Sequence, residues 1–260
     1  MSLEKSTKNI QSVQRAIDIV NCFDKSAREL TLNEISEMVK INVNTARGLV
    51  NTLLNNGFLS KNITTKRYSL GYEFLLKSQL INQFLVQHIR DIAYPLMEAF
   101  ANDYRLSCWL QISFYKDVFT VEVVMPKNSY YTYTPRTGTR LPLHSTASGK
   151  LLVANLPFDD MVKTVESIVF EKFTKYTISN KDTLYKTIDQ VLKAGYATEH
   201  EETDLSVSSV SAPFFSAKGV MAGTISFVAP TPTTKSLCDD AIVGILKIAD
   251  LVTSKILGKI

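Results

Sequence analysis

The chain has 260 residues, 45% of them hydrophobic, enough for one or two domains with substantial cores. Its net charge of +4 is unevenly placed: residues 1–70 hold ten Lys/Arg against six Asp/Glu, whereas residues 71–260 hold nineteen of each. A basic first quarter joined to a neutral remainder suits a small nucleic-acid-binding domain attached to a second domain, and the bland alternative is a solvated basic face with no partner. Three cysteines, Cys22, Cys108 and Cys238, far apart and odd in number, argue against a disulfide framework or a Cys-x-x-Cys knuckle and suit buried thiols in a reducing cytoplasm. A polar N-terminus and the lack of any run of about 18 apolar residues speak against membrane insertion, so a cytoplasmic protein is expected.

In chain order, Val13, Ala16, Ile17, Val20 and Phe23 form the apolar stripe of a first helix, with Ser12 as its expected N-cap. Thr31-Leu-Asn-Glu34 has the form of a capping box, which opens a second helix ending near Lys40. A tight turn around Ile41 and Asn42 leads to a third helix, in which Ala46, Leu49, Val50, Leu53 and Leu54 repeat at the spacing of one buried face. Its other face shows Asn44, Thr45, Arg47, Gly48 and Asn51: amides, a hydroxyl and a guanidinium, the groups that read base edges in a major groove. Two short helices in this arrangement form the helix-turn-helix plan. Asn56-Gly57 ends the third helix, and short strands at Phe58 to Lys61 and Arg67 to Leu70 predict a basic-tipped hairpin, a wing, whose Lys61, Lys66 and Arg67 would lie near phosphates. From Met38 to Tyr72 there is no Asp or Glu at all.

Gly71 closes this domain, 1–71. Residues 72–87 then read as a linker helix whose Leu75, Leu76, Leu80, Ile81, Phe84 and Leu85 need a partner, either its own domains or the same helix of a second copy. A helix over His88 to Tyr104, with Pro95 marking a break or kink, opens a second domain, 88–260. The pattern then alternates: strands are expected at Leu106 to Tyr115, Val118 to Met125 and Tyr130 to Thr134, helices at Ala147 to Asn155, Phe158 to Ile168 and Asp182 to Ala194. Strands at Gly195 to Glu201, Val210 to Phe215 and Val220 to Val228 and a closing helix from Thr234 to Leu257 complete an α+β antiparallel sheet with helices on its faces.

The loop from Thr137 to Lys150 enters a helix through small residues, so its free N–H groups suit a carboxylate or phosphate, or it is a plain capped helix. It is not a P-loop, because His144 stands where Gly is required and Leu151 follows the Lys. Glu199, His200, Glu201, Glu202 and Asp204 make an acidic cluster, but a single His without a second spaced ligand pair favours a polar loop over a metal site. Ser206, Ser208, Ser209 and Ser211 lack a Gly-x-Ser-x-Gly elbow. No catalytic residue, metal or cofactor is therefore expected, although a hydrolase or transferase using the second-domain cleft and a non-specific DNA-packaging module remain as competing readings.

The order of these parts resembles the IclR family of bacterial transcriptional regulators over nearly the full chain. The carriers are Ser12-Val-Gln-Arg-Ala-Ile-Asp-Ile-Val-Asn-Cys-Phe23, Asn44-Thr45, Thr52-Leu53 before Gly57-Phe58, and Tyr68-Ser-Leu-Gly71. In the second domain they are Leu141-Pro-Leu-His-Ser-Thr-Ala-Ser-Gly-Lys-Leu-Leu152, Tyr176-Thr177, Gly195-Tyr-Ala197 with Glu201-Glu202, and Ser211-Ala-Pro213. The resemblance implies an N-terminal winged helix-turn-helix, a linker helix and a C-terminal GAF-like effector domain that binds small organic acids, in dimers or tetramers. It places effector contacts at Ala147, Ser148, Glu199, Val207, Ser209, Ser226 and Val228. This chain departs from the family where Glu199 replaces the common Asp, Ser206 a Gly and Ser209 a Cys, and where Gly48 takes the place of an Arg that here stands one residue earlier, at Arg47. That shift turns a helical side chain by about 100°.

Overall fold

The computed structural model describes residues 9–24, 27–81, 86–127, 140–216 and 218–258. The strand expected at Tyr130 to Thr134, the side chain of Cys238, and Phe84 and Leu85 of the linker stripe lie outside the described residues. The chain divides into two compact units, Met1–Phe84 and Leu85–Ile260.

In the first unit, α1 (Gln11–Asn21), α2 (Leu32–Val39) and α3 (Val43–Asn55) precede a hairpin of β1 (Leu59–Lys61) and β2 (Tyr68–Leu70). Helix α1 begins one residue before the expected cap: Ile10 holds the N-cap position without a side-chain bond, and Ser12 lies inside the helix. The capping box forms as expected, with Glu34 N–H donating to Thr31 Oγ1 at 3.3 Å and Thr31 N–H to Glu34 Oε2 at 2.6 Å. Asn42 caps α3 by accepting from Asn44 N–H at 2.8 Å. The turn between α2 and α3 is made by Lys40 in the left-handed region, φ 56°, while Ser36 Oγ donates to Ile41 O at 2.7 Å. Ile19, Ile35, Ala46 and Val50 are fully buried, and Leu49, Leu53 and Leu54 pack around the core that α3 shares with α1, α2 and the hairpin. A bridge between Leu30 and Tyr68 ties the hairpin to the entry of α2.

Helix α4 (Glu73–Ile81) follows, with Phe74 set edge-on to Phe58 at 5.4 Å. Tyr72, Leu75, Leu76 and Leu80 remain exposed. Entry to α4 depends on two glycines. Gly57 has φ 72°, and Gly71 passes so close that an added Cβ would lie 2.0 Å from the Gly57 carbonyl oxygen.

The second unit opens with α5 (Gln87–Tyr104), which contains Pro95 without a break. Strands β3 (Ser107–Phe114) and β4 (Asp117–Val124), helices α6 (Ala147–Ala154), α7 (Phe158–Ser167) and α8 (Lys181–Ala194), strands β5 (Ala197–His200), β6 (Val207–Phe215) and β7 (Met221–Pro230), and helix α9 (Thr231–Ile256) complete it. The five strands are antiparallel in the order β4-β3-β7-β6-β5. Strand β6 begins three residues before the expected Val210, because Ser206 reverses the chain at φ 64° and Val207 already pairs with Pro230.

Alternation along the strands separates two faces. Cys108, Leu110, Ile112, Val210, Ala212, Phe214, Ile225 and Phe227 form one apolar core with Ala93, Met97 and Phe100 of α5 and Ala241, Ile245, Ala249 and Val252 of α9. The opposite face meets α6, behind which Leu151 and Val153 join Val165 of α7 and Leu184, Ile188 and Val191 of α8 in a second core.

The Gly57–Gly71 contact generates one prediction. Gly71→Ala should destabilise the first unit by roughly 1–3 kcal/mol, since the new methyl meets backbone that cannot rotate away. Thermal denaturation of the full chain should show an earlier transition, and a wild-type Tm would refute the close approach.

Candidate nucleic-acid interface and candidate effector site

On the outer side of α3, Asn44, Thr45, Arg47, Gly48, Asn51 and Thr52 are all exposed. Arg47 Nη1 donates to Asn44 Oδ1 at 3.2 Å, one turn back along the same surface. In the hairpin, Asn62 organises the tip by accepting from the N–H groups of Thr64 and Thr65 at 2.9 and 3.1 Å, and Lys66 stands at φ 59°. Lys61 and Lys66 are exposed, with the Lys61 ammonium 5.0 Å from the centre of the Tyr68 ring. Arg67 is different. Its Nη1 donates to Glu29 O at 2.9 Å and its two terminal nitrogens reach both Glu34 oxygens at 3.2 and 3.3 Å. The same carboxylate closes the α2 capping box, and the Thr31 backbone and hydroxyl, followed by Arg67, hold Glu34 below the usual carboxylate range. Arg67 therefore braces the wing against the helix-turn-helix, a role its charge and position in sequence did not distinguish from phosphate binding.

In the second unit, Ala147 and Ser148 begin α6, where Thr146 accepts from Gly149 N–H at 3.0 Å and donates to Pro142 O at 2.7 Å. Every residue of α6 is buried. Gly149 is required for this approach, since a Cβ there would lie 2.6 Å from Leu143 Cα and from Pro142 O. The strand register then gathers the remaining candidates. Glu199 pairs with Ser209 and Ser209 with Val228, while Ser211 pairs with Ser226, and Val207 lies two residues before Ser209 on the same side. All five sheet candidates thus share the face that meets α6.

That face is polar. Ser148 Oγ lies 3.1 Å from Ser211 Oγ and 3.3 Å from Ser226 Oγ, and Thr224 Oγ1 donates to it at 3.0 Å. Gln111 Oε1 accepts from Thr224 and Ser226 hydroxyls, each at 2.8 Å. Next to this group, Trp109 Nε1 donates to Ser107 Oγ at 3.1 Å, and Ser107 Oγ to Val228 O at 2.7 Å. Ser107, Gln111, Ser148, Ser211, Thr224 and Ser226 are all buried. The sequence singles out neither Gln111 nor Thr224, and Ser211 appears in it as an unsupported nucleophile and as the first residue of the Ser211-Ala-Pro213 motif. The signal was present as polar residues on one face of β3 (Ser107 and Gln111, with Trp109 between them) and of β7 (Thr224, Ser226), inverted relative to an apolar interior. Among the described residues the Ser148 hydroxyl meets the hydroxyls of Ser211, Thr224 and Ser226, none of which is a base that could activate it.

The edge of the face carries charge. Glu199 is buried; its Oε1 accepts from the N–H groups of Glu202 at 2.7 Å and Thr203 at 3.2 Å, and its Oε2 from Ser209 Oγ at 3.1 Å. Burial outweighs these hydrogen bonds and pushes the Glu199 carboxyl up to about 7. Lys150, only 2% exposed, donates to Thr198 O at 3.0 Å and to the Glu202 carboxylate. Burial raises Glu202 as well, against the attraction of Lys150. His144 also lies in the interior, bonded through Nε2 to Glu171 O at 2.9 Å and set against the rings of Phe170 and Phe173. Among the described residues no three His, Cys, Asp or Glu side chains converge as metal ligands, and no helix is long and apolar enough to cross a membrane.

Comparison with known proteins agrees with this architecture. Residues 12–62 match the IclR helix-turn-helix domain and residues 83–251 match the bacterial transcriptional regulator IclR C-terminal domain. The HTH-type transcriptional regulator XynR of Escherichia coli (strain K12) is 27% identical over 232 residues, covering 89% of each chain. An IclR family transcriptional regulator from Brucella abortus superposes with a TM-score of 0.80 at 20% identity, covering 98% of this chain and 95% of that one. An IclR homolog from Microbacterium hydrocarbonoxydans, solved in complex with 4-hydroxybenzoate, superposes with a TM-score of 0.72 at 18% identity, covering 95% and 99%. With a winged helix-turn-helix, a five-stranded antiparallel effector-type domain and both domain matches in order along it, the chain belongs to the IclR family of DNA-binding bacterial transcriptional regulators and not to a family of enzymes.

Proposed function

We propose that residues 1–71 bind a duplex operator, that 72–87 link and dimerise the protein, and that 88–260 bind a small organic acid whose occupancy sets operator affinity. The observation that carries the effector reading is the polar sheet face under the start of α6, where Ser148, Ser211, Thr224, Ser226 and Gln111 meet. A fold builds its interior from apolar groups unless polar ones serve a purpose. The effector contacts are Ala147, Ser148, Glu199, Val207, Ser209, Ser226 and Val228. A carboxylate is held there by the α6 N-terminus and neutral hydroxyls, because Lys150 is already engaged by Glu202 and Thr198. The homolog that carries 4-hydroxybenzoate supports an acid of this size.

In the first unit, Asn44, Thr45, Arg47, Gly48 and Asn51 face the major groove, and Lys61 and Lys66 lie along phosphates. The exposed Tyr72, with Leu75, Leu76 and Leu80 of α4, supports a homodimer, extended to a tetramer through a second surface, that presents two reading heads to a palindromic site. The protein works in the cytoplasm, on its DNA. Regulation is linkage: an effector that binds one arrangement better than another shifts the population that fits the operator.

Three measurements test this reading. Arg47→Ala should cost ~1–3 kcal/mol on a selected duplex and little on a scrambled one, whereas Lys66→Ala should weaken both alike and lower the salt slope by about 1; equal discrimination in the two variants would reverse the assignment of reader and clamp. Ser148→Leu should abolish thermal-shift responses to a panel of small carboxylates, 4-hydroxybenzoate among them, while duplex binding and the transition of the first unit persist. A preserved response would remove the α6 start from the pocket. Finally, Glu199 is neutral below about pH 7 and anionic above it. Affinity for an anionic effector should therefore fall as pH rises through 7, and Glu199→Gln should flatten that dependence in calorimetric titrations; a slope that survives the substitution would assign it to another group.

A further inference from the structure

We infer that Gly48 is a contact notch, a point at which the backbone of α3 comes against base-pair edges in the major groove more closely than any side chain would allow. The inference rests on the assignment of α3 as the reading helix. It starts from what the fold asks of each glycine. Gly57, Gly195, Gly219 and Gly258 have φ between 64° and 77°. A Cβ on Gly71, Gly149 or Gly223 would lie 2.0, 2.6 or 2.1 Å from backbone, and one on Gly244 would press on the Tyr104 and Phe100 rings at 3.0–3.1 Å. Among the described glycines Gly48 alone has neither reason: its φ is not positive, and an added Cβ would find open space to 4 Å.

A glycine in the interior of a helix weakens it relative to alanine, through backbone entropy. Among the described residues nothing lies within 4 Å of the added Cβ to compensate for that cost, so we assign the compensation to what binds the helix. The neighbours of Gly48 on the helix surface are Asn44 at i−4, Thr45 at i−3, Asn51 at i+3 and Thr52 at i+4, all exposed. Thr52 Oγ1 folds back to donate to Gly48 O at 3.0 Å, and Arg47 leans toward Asn44. The result is a shallow gap bordered by two amides and two hydroxyls, on a helix without a single acid. An apolar protein partner would call for apolar side chains around the gap, and a phosphate for cations on several sides. Amides flanking bare backbone instead suit the flat edge of stacked bases, against which Asn44 and Asn51 can each make paired hydrogen bonds to adenine once the helix is seated deeply enough.

The test uses the full-length chain and the duplex that it selects from a random-sequence library, with a scrambled duplex of equal length and composition as reference. Gly48→Ala should weaken binding to the selected duplex by about tenfold and Gly48→Leu by about a hundredfold or more, with the scrambled duplex changed less than about twofold. Both variants should unfold at or above the wild-type Tm, since each restores helix propensity in open space. Opposite signs for stability and operator affinity are the signature of a residue kept for a partner. Unchanged affinity for the selected duplex would overturn the notch, as would equal losses on both duplexes, which would place Gly48 against the sugar-phosphate backbone. A wild-type chain that selects no sequence would instead overturn the reading-helix assignment itself, a result visible before any variant is made.

Discussion

The second unit depends on one constraint: α6, buried along its whole length, lies on a sheet face that is itself polar. A buried hydroxyl or amide without a partner costs about 1–3 kcal/mol, so Ser148, Ser211, Ser226, Thr224 and Gln111 must satisfy one another or a ligand. That requirement fixes how deep the helix sits and where it starts. Gly149 permits the depth, because any side chain there would strike the backbone of the preceding loop. Lys150, one residue on, anchors the helix to β5 and the turn beyond it through Thr198 O and Glu202. A buried ion pair of this kind adds little net stability over an apolar pair, because desolvation of both charges offsets their attraction, but it tolerates only one geometry. Its contribution is registration: the start of α6 is held opposite Ser211, Thr224 and Ser226.

The first unit solves a different problem, which is to hold a helix firmly while leaving one side of it bare. Ala46 and Val50 bury one face of α3, and the close pass of Gly71 over Gly57 fixes the angle at which the chain returns from the hairpin. Arg67 then joins the hairpin to the α2 cap through Glu34. Two features that read separately in sequence, a capping box and a basic wing, share one carboxylate. Glu34 is consequently a junction between the helix-turn-helix and the wing rather than a local cap alone.

Much of this was legible before the structure, and for definite reasons. Helix α3 follows from an i, i+3, i+4, i+7, i+8 apolar repeat, the capping box from Thr31 and Glu34, and the α6 start from small residues after a Pro loop. The register-dependent features were not. Nothing in the spacing of Arg67 distinguishes a phosphate clamp from a brace, because the answer lies 33 positions away at Glu34. The polar wall was half visible: β3 and β7 alternate correctly, but the polar residues occupy the face that a helix covers, and only strand pairing shows that Gln111, Thr224, Ser226 and Ser211 meet. Ser206 shows the reverse case. The family's usual glycine at that position becomes intelligible once the backbone is seen at φ 64°, a region where glycine carries no steric penalty and serine does.

The two units also differ in how they present polar groups to a partner. Around α3 the amides are exposed and charge is almost wholly positive, so attraction to a polyanion is long-ranged and sensitive to salt. Under α6 the hydroxyls are buried and mutually bonded, and Glu199, whose carboxyl burial pushes up, is held by two backbone N–H groups and Ser209. For the proposed effector, discrimination there comes from hydrogen-bond geometry: a ligand must replace each bond it displaces or leave a buried group unpaired. A wall of this kind rejects an effector lacking a matching acceptor far more strongly than a hydrophobic pocket rejects a missing methylene. In the proposed effector reading Glu199 adds a second criterion, since a neutral carboxyl at the edge of the wall donates to an approaching anion and a carboxylate repels it.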